Sequence, residues 1–209
     1  MQPRSTAIIL AGGFSKRFGI DKVFAEFAGK PLVRYVIDTA REVVDETLVV
    51  AGTVEQSRRL SELGNGEFAV LIDKLNVKSP LAGALTGFEG AKGEVSLLLA
   101  CDTPLLSKEV LGYLLRLSPG HDAVIPKWPN GNIEPLQAAY TTSRAFAAAH
   151  EALRNRELRM SDAIERLWDV LYVSTDTLRM YDSQLQTFEN INTPDDLRRV
   201  EMIRHPLRL

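Results

Sequence analysis

Thr6-Ala7-Ile8-Ile9-Leu10-Ala11-Gly12-Gly13-Phe14-Ser15-Lys16-Arg17-Phe18-Gly19-Ile20-Asp21-Lys22 is the stretch on which the fold turns. Its first part, Thr6 to Leu10, is a short, almost uninterrupted apolar run, the pattern of a parallel strand covered by helices on both faces. The run stops abruptly at small residues. Ala11, Gly12 and Gly13 let backbone N–H groups come close to an anion, and Lys16, Arg17 and Lys22 place positive charge within a few residues. At the C-terminal end of a strand, that combination suits a polyphosphate. The competing reading is a turn with solvated basic residues. No G-x-x-x-x-G-K-[ST] or G-x-G-x-x-G spacing fits, so the stretch is neither a P-loop nor a dinucleotide fingerprint.

Working outward, Thr47 to Ala51, Phe68 to Ile72 and Val95 to Ala100 repeat the strand pattern. Pro31 to Val44 carries Leu32, Val33, Val36, Ile37, Ala40 and Val44 on one helical stripe, and Leu81 to Ala91 and Lys108 to Leu117 follow that spacing less strictly. The order is βαβα. In the second half, Asp122 to Pro126 and Pro135 to Tyr140 flank Asn130-Gly131, a hairpin signal. A helix over Ser143 to Asn155, an amphipathic stretch over Met160 to Leu167 and a strand over Val170 to Ser174 come next. Thr193, Pro194, Asp195 and Asp196 mark the start of a last helix, with cap, proline and first-turn acids in their favoured places. The expected fold is α/β: one domain, 1–209, built as a three-layer α/β/α sandwich with a mostly parallel, Rossmann-like sheet and a β-rich excursion in the second half.

Bulk properties narrow the partners. The net charge of -2 offers no global field for nucleic acid or an anionic membrane surface. A single cysteine, Cys101, excludes a disulfide within the chain and any cysteine-rich metal site, and fits a reducing compartment. Met1-Gln2-Pro3-Arg4 opens no long apolar segment, and no apolar run approaches the roughly 20 residues of a membrane-spanning helix. The expectation is a cytoplasmic protein with neither a membrane nor a nucleic-acid partner.

Polar groups suited to chemistry recur where the strands end. Asp102 directly follows the run Val95 to Cys101 and is a hard oxygen ligand for Mg²⁺, with an N-cap or Asx turn before Thr103-Pro104 as the structural alternative. Asp73 ends the third strand and leads to Ser79-Pro80-Leu81-Ala82-Gly83, where small residues open a helix. Alone it reads as a turn residue; with the other strand ends it reads as part of a site. His121, His150 and His205 are not placed to act as a base. Transfer to an acceptor that is itself a phosphate needs none, because a phosphomonoester with a second pKa of about 6 is mostly dianionic at pH 7. The site would then work by positioning and charge neutralisation.

The opening stretch resembles the L-A-G-G-x-S-x-R-M-G-x-D-K signature of the molybdenum cofactor guanylyltransferases, within the wider nucleotide-diphospho-sugar transferase fold. Further matches follow in order: Gly29 to Leu32, Pro80 to Gly83, Cys101 to Pro104, Glu134-Pro135-Leu136 with Ala138 and Tyr140, and Asn190 to Pro194. The resemblance implies a nucleotidyltransferase in which Leu10, Ala11, Gly12 and Gly13 line the nucleotide, Arg17 and Lys22 hold its phosphates, Asp73 contacts the nucleoside and Asp102 binds Mg²⁺ as well as nucleotide. Asn190 and Asn192 would approach the acceptor. The nucleotide half would be about 1–105 and the acceptor half about 106–209, with GTP as donor and molybdopterin as acceptor. Gly13 and Pro80 to Gly83 resemble the guanine-using branch; Phe18 in place of Met and Ala51-Gly52-Thr53 in place of an Asn-containing segment depart from it. Open alternatives are a guanylyl- or cytidylyltransferase for another phosphorylated acceptor (a sugar phosphate, phospholactate or a corrinoid precursor), and a nucleotide-binding regulator without catalysis.

Overall fold

A computed structural model describes residues 5–12, 21–73, 75 and 77–204; Gly13 and Arg17 lie outside the described residues. In chain order the elements are β1 (Ser5–Leu10), β2 (Glu26–Phe27), β3 (Lys30–Pro31), α1 (Leu32–Arg41), β4 (Glu46–Ala51), α2 (Val54–Gly64), β5 (Ala69–Ile72), α3 (Pro80–Gly90), β6 (Val95–Ala100) and α4 (Lys108–Leu117). The second half adds β7 (Ala123–Lys127), β8 (Gln137–Thr141), α5 (Thr142–Arg154), α6 (Met160–Ile164), β9 (Val170–Ser174), α7 (Thr175–Leu178) and α8 (Pro194–Arg204).

Seven strands form one sheet in the order β5-β4-β1-β6-β8-β7-β9, while β2 and β3 make a small separate ribbon. β1 lies between β4 and β6, parallel to both, and β5 continues the parallel half. β8 is antiparallel to β6 and β7, whereas β9 returns parallel to β7. The β-rich excursion is thus a hairpin, as Asn130-Gly131 suggests, but not a two-residue one. Its connection spans residues 128–136, with a local turn closed by Gly131 N–H donating to the Trp128 carbonyl at 2.9 Å.

Alternation along the strands divides the core between the faces of the sheet. Ala7, Ile9, Val49, Ala51, Leu97 and Leu99 pack with Val36 and Ile37 of α1, Leu60 of α2 and Leu111 and Leu114 of α4. Ile8, Leu10, Val50 and Leu98 pack with Leu81, Leu85 and Phe88 of α3 and the alanine stripe Ala145, Ala148, Ala149 and Ala152 of α5. This is the expected three-layer sandwich. Away from the sheet, Ala25, Phe27, Leu32 and Tyr35 bury Ile191 and Val200, which fastens the C-terminal segment over the β2–β3 ribbon.

Helix starts are written in hydroxyls. Thr53, Ser79, Ser107 and Thr193 accept from the backbone N–H of the residue three positions on, Gln56, Ala82, Val110 and Asp196. Helix α1 stops at Arg41, short of Val44, because Glu42 and Val43 N–H groups close onto the carbonyls of Thr39 and Ala40 as tighter turns. Helix α6 likewise ends at Ile164 rather than at Leu167.

Close packing of α3 on β1 depends on Gly87, where an added Cβ would stand 2.2 Å from Cγ2 of the fully buried Ile8. Replacing a helical Gly by Ala would ordinarily gain up to about 1 kcal/mol. Here overpacking of about 1–3 kcal/mol opposes it. Gly87→Ala is therefore expected to lower the melting temperature by several degrees, on the scale of about 2–4 °C per kcal/mol for a chain of this size, and a raised melting temperature would show that α3 can withdraw from β1 without cost.

Candidate nucleotide and phosphate site

The parallel strands deliver their C-terminal ends to one edge of the sheet. There, backbone bonds carry the ladder beyond the strands: Ala11 N–H donates to Val50 at 2.9 Å, Asp73 N–H to Ala51 at 2.8 Å, Cys101 N–H to Leu10 at 3.3 Å and Ala100 N–H to Leu136 at 3.0 Å. Loops leaving this edge are thus held to each other at their roots. The order of strands reverses at β1, since the chain runs outward to β4 and β5 on one side and to β6 on the other. Such a switch point opens a crevice at the strand ends, the usual ligand position in open α/β sheets.

Three of the residues singled out in the sequence meet here. Lys22 starts a short 3-10 turn, Lys22–Phe24, and its buried ammonium donates to Oδ2 of Asp102 at 2.6 Å and to Oδ1 of Asn192 at 2.9 Å. The backbone carbonyl of Asp102 accepts from Ile191 N–H at 2.9 Å, so the chain just before α8 is tied to the end of β6 directly and again by way of Lys22. Asp102 Oδ1 is buried and has no hydrogen-bond partner among the described residues. A carboxylate oxygen in that condition is costly unless something else satisfies it. Beside it, burial pushes the Cys101 thiol far up, which keeps it protonated and inert.

A residue that sequence reading overlooked organises the first loop. Gln56, on α2 and 6% exposed, accepts from Gly52 N–H at 2.7 Å and donates through Nε2 to the Ala11 carbonyl at 3.0 Å and to Asp21 Oδ2 at 2.9 Å. One side chain thereby joins the ends of β1 and β4 to the residue preceding Lys22. Gly12 and Gly52 lie against each other, and a Cβ on Gly52 would come within 3.2 Å of the Gly12 Cα. Helix α2 buries little besides Gln56 and Leu60, so it has no strong apolar stripe. The available signal was Thr53 followed three residues later by Gln56, the pattern of a capping box.

The remaining residues fall at the margins. Asp73 stands at the end of β5, where its carboxylate accepts from Leu75 N–H at 3.0 Å and from the Thr86 hydroxyl at 3.3 Å, bonds that order the turn toward α3. The order β5-β4-β1-β6 separates it from the Lys22–Asp102 pair by roughly 14 Å, three strand spacings. Asn190 turns inward and donates to the Phe188 carbonyl at 3.2 Å, leaving Asn192 as the asparagine that reaches Lys22. On the far side, Glu134 is half-buried and accepts from the Trp128 indole Nε1–H at 2.6 Å, and burial raises the Glu134 carboxyl above the usual range. Trp128 packs edge-on against Phe188 with ring centroids 5.7 Å apart.

Among the described residues no group of three or more His, Cys, Asp or Glu side chains converges as a metal cage. Asp102 offers one open oxygen, a donor set suited to a hard ion that completes its shell with water and phosphate oxygens. A switch-point crevice holding a buried lysine against a partly buried aspartate is suited to binding phosphates. Comparison with known proteins agrees: the MobA-like NTP transferase domain family matches residues 7–170. A probable molybdenum cofactor guanylyltransferase of Bacillus licheniformis is 34% identical over 195 residues, covering 93% of this chain and 95% of that protein. Its counterpart in Methanosarcina mazei is 30% identical, over 92% and 88%. The crystal structure of molybdopterin-guanine dinucleotide biosynthesis protein A from Archaeoglobus fulgidus superposes with a TM-score of 0.83 at 30% identity, covering 97% of this chain and all of that one. The chain belongs to the MobA-like NTP transferase domain family.

Proposed function

We propose that this protein transfers GMP from GTP to the terminal phosphate of molybdopterin and releases pyrophosphate. Full-length similarity to guanylyltransferases supports the reaction, and the Lys22–Asp102–Asn192 cluster at the switch point supports its location. A terminal phosphate oxygen of the acceptor attacks the α-phosphorus, a new P–O bond forms, and the bond to the bridging oxygen breaks with its electron pair leaving on pyrophosphate. No proton need be removed from an acceptor that is already dianionic.

Each residue has a role in this reading. Leu10, Ala11, Gly12 and Gly13 line the nucleotide, and Asp73 contacts the nucleoside. Arg17 and Lys22 neutralise the phosphates, and Lys22 donates to oxygens whose charge grows as pyrophosphate departs. Asp102 would hold Mg²⁺, which when bound supplies electrostatic stabilisation of the transferring phosphate. Asn192, with Asn190 behind it, faces the acceptor phosphate. The half of the chain to about residue 105 serves the nucleotide and the remainder the acceptor. The protein would act in the cytoplasm; no helix among the described residues is long and apolar enough to cross a membrane.

A pyrophosphate-release assay crossing GTP, ATP and CTP with molybdopterin and other phosphorylated acceptors tests the assignment. GTP with molybdopterin should give the highest kcat/KM, exceeding CTP by about tenfold or more, the level that one or two hydrogen bonds to a base edge provide. A CTP value equal to that for GTP would overturn the base assignment, and turnover with a different acceptor alone would overturn the acceptor.

A further inference from the structure

The connection over residues 128–136 leaves the C-terminal end of β7, which runs in the same direction as β6, and so emerges on the edge that carries Asp102. Its far end is held there, because Leu136 accepts from Ala100 N–H at 3.0 Å. Its near end is held through Trp128, whose ring meets Phe188 in the segment that continues to Asn192 and Lys22. Glu134 therefore belongs to the same wall as the Lys22–Asp102 pair, displaced toward β8 and β7 by roughly 5–10 Å, one or two strand spacings.

The chemistry of Glu134 is unfinished. A carboxylate has about four acceptor sites on two oxygens. Among the described residues, the Glu134 carboxylate accepts a single hydrogen bond, from neutral Trp128, and no cation pairs with it. Half-burying a carboxylate against one neutral donor costs free energy that two adjacent N–H groups from a ligand would recover. Such paired donors lie on the edge of a 2-amino-4-oxopyrimidine ring. Guanine and a pterin both present that edge, and position separates them. In the reading proposed above the nucleoside lies toward Asp73, just after β5, and the order β5-β4-β1-β6-β8-β7 puts four to five strand spacings, roughly 19–24 Å, between that strand end and the β8–β7 connection.

We propose that Glu134, fixed by Trp128, recognises the amino-oxo edge of the acceptor's pterin ring, which makes the β7–β8 connection the acceptor's head-group subsite. This rests on the transferase reading above and names the residue that selects its acceptor. The test uses the full chain with pterin and lumazine, which differ only in a 2-amino against a 2-oxo group, their binding followed by their fluorescence. Wild type should bind pterin at least about tenfold more tightly than lumazine, and Glu134→Gln should weaken pterin about 10- to 100-fold while leaving GTP affinity unchanged. Trp128→Phe keeps a ring against Phe188 but loses the indole donor; it should weaken pterin about 3- to 10-fold, again without affecting GTP. Unaltered pterin affinity in both variants, a parallel loss of GTP affinity, or a wild type that binds neither pteridine would overturn the proposal.

Pyrophosphate release from GTP and molybdopterin separates this proposal from the reading beneath it. Release by wild type with an unaltered molybdopterin KM in Glu134→Gln would sink the subsite and leave the transferase standing. Pterin-selective binding without release would support the subsite and remove the transferase.

Discussion

Lys22→Ala is expected to lower turnover by about 100- to 1,000-fold, the usual cost of removing one preorganised donor to a developing charge. The ammonium is buried and fixed by two bonds, 2.6 Å to Asp102 and 2.9 Å to Asn192, so it spends little reorganisation when phosphate arrives. Folding will also respond. The variant leaves both Asp102 oxygens without a partner among the described residues, a loss of about 1–3 kcal/mol moderated by the aspartate's partial exposure. Steady-state kinetics on protein shown to be folded by circular dichroism, together with its melting curve, separates the two effects. Near-normal turnover in a folded variant would remove Lys22 from the chemistry.

Asp102→Asn should abolish the magnesium-dependent rate, again by at least about 100-fold, while the fold survives. The amide preserves shape, its oxygen can still accept from Lys22, and the Asp102 carbonyl that receives Ile191 N–H belongs to the main chain and is untouched. What is lost is the charge that attracts a hard cation. Titrating Mg²⁺ against activity is the check, with nucleotide affinity measured alongside. Full activity and an unchanged magnesium requirement would show Asp102 to be a structural partner of Lys22 alone.

Most of the sheet was legible because its inner strands are buried on both faces and therefore read as apolar runs. Of the helices that could be read, α1, α3, α4 and α5 bury broad stripes, while α8 was legible from its Thr193 cap and Pro194. Helix α2 was not read, since its apolar side is little more than Leu60 and the partly buried Leu63 among polar residues. The site divided along the same line. Lys22, Asp102 and Asn192 were visible as motif residues, although only the fold could show that positions 170 residues apart share a hydrogen bond. Gln56 showed only as half of a Thr53–Gln56 capping pattern, because its importance lies in bonds to Ala11 and Asp21, distant in sequence, and to nearby Gly52, not in its type. Asp73 and Asn190 stand at the predicted edge but satisfy local backbone and hydroxyl groups.

The contact between Gly12 and Gly52 under the Gln56 amide makes residues 12, 52 and 56 a linked set. Gly52 lacks the Cβ that would hold the two loops apart, and a glutamine from the next helix brings a carboxamide to its backbone N–H. Installing a side chain at 52 alone would press on Gly12 and crowd the Gln56 amide. Replacements at these positions should therefore be strongly epistatic: a single change reads as damage, and only a matched set can reshape the first loop.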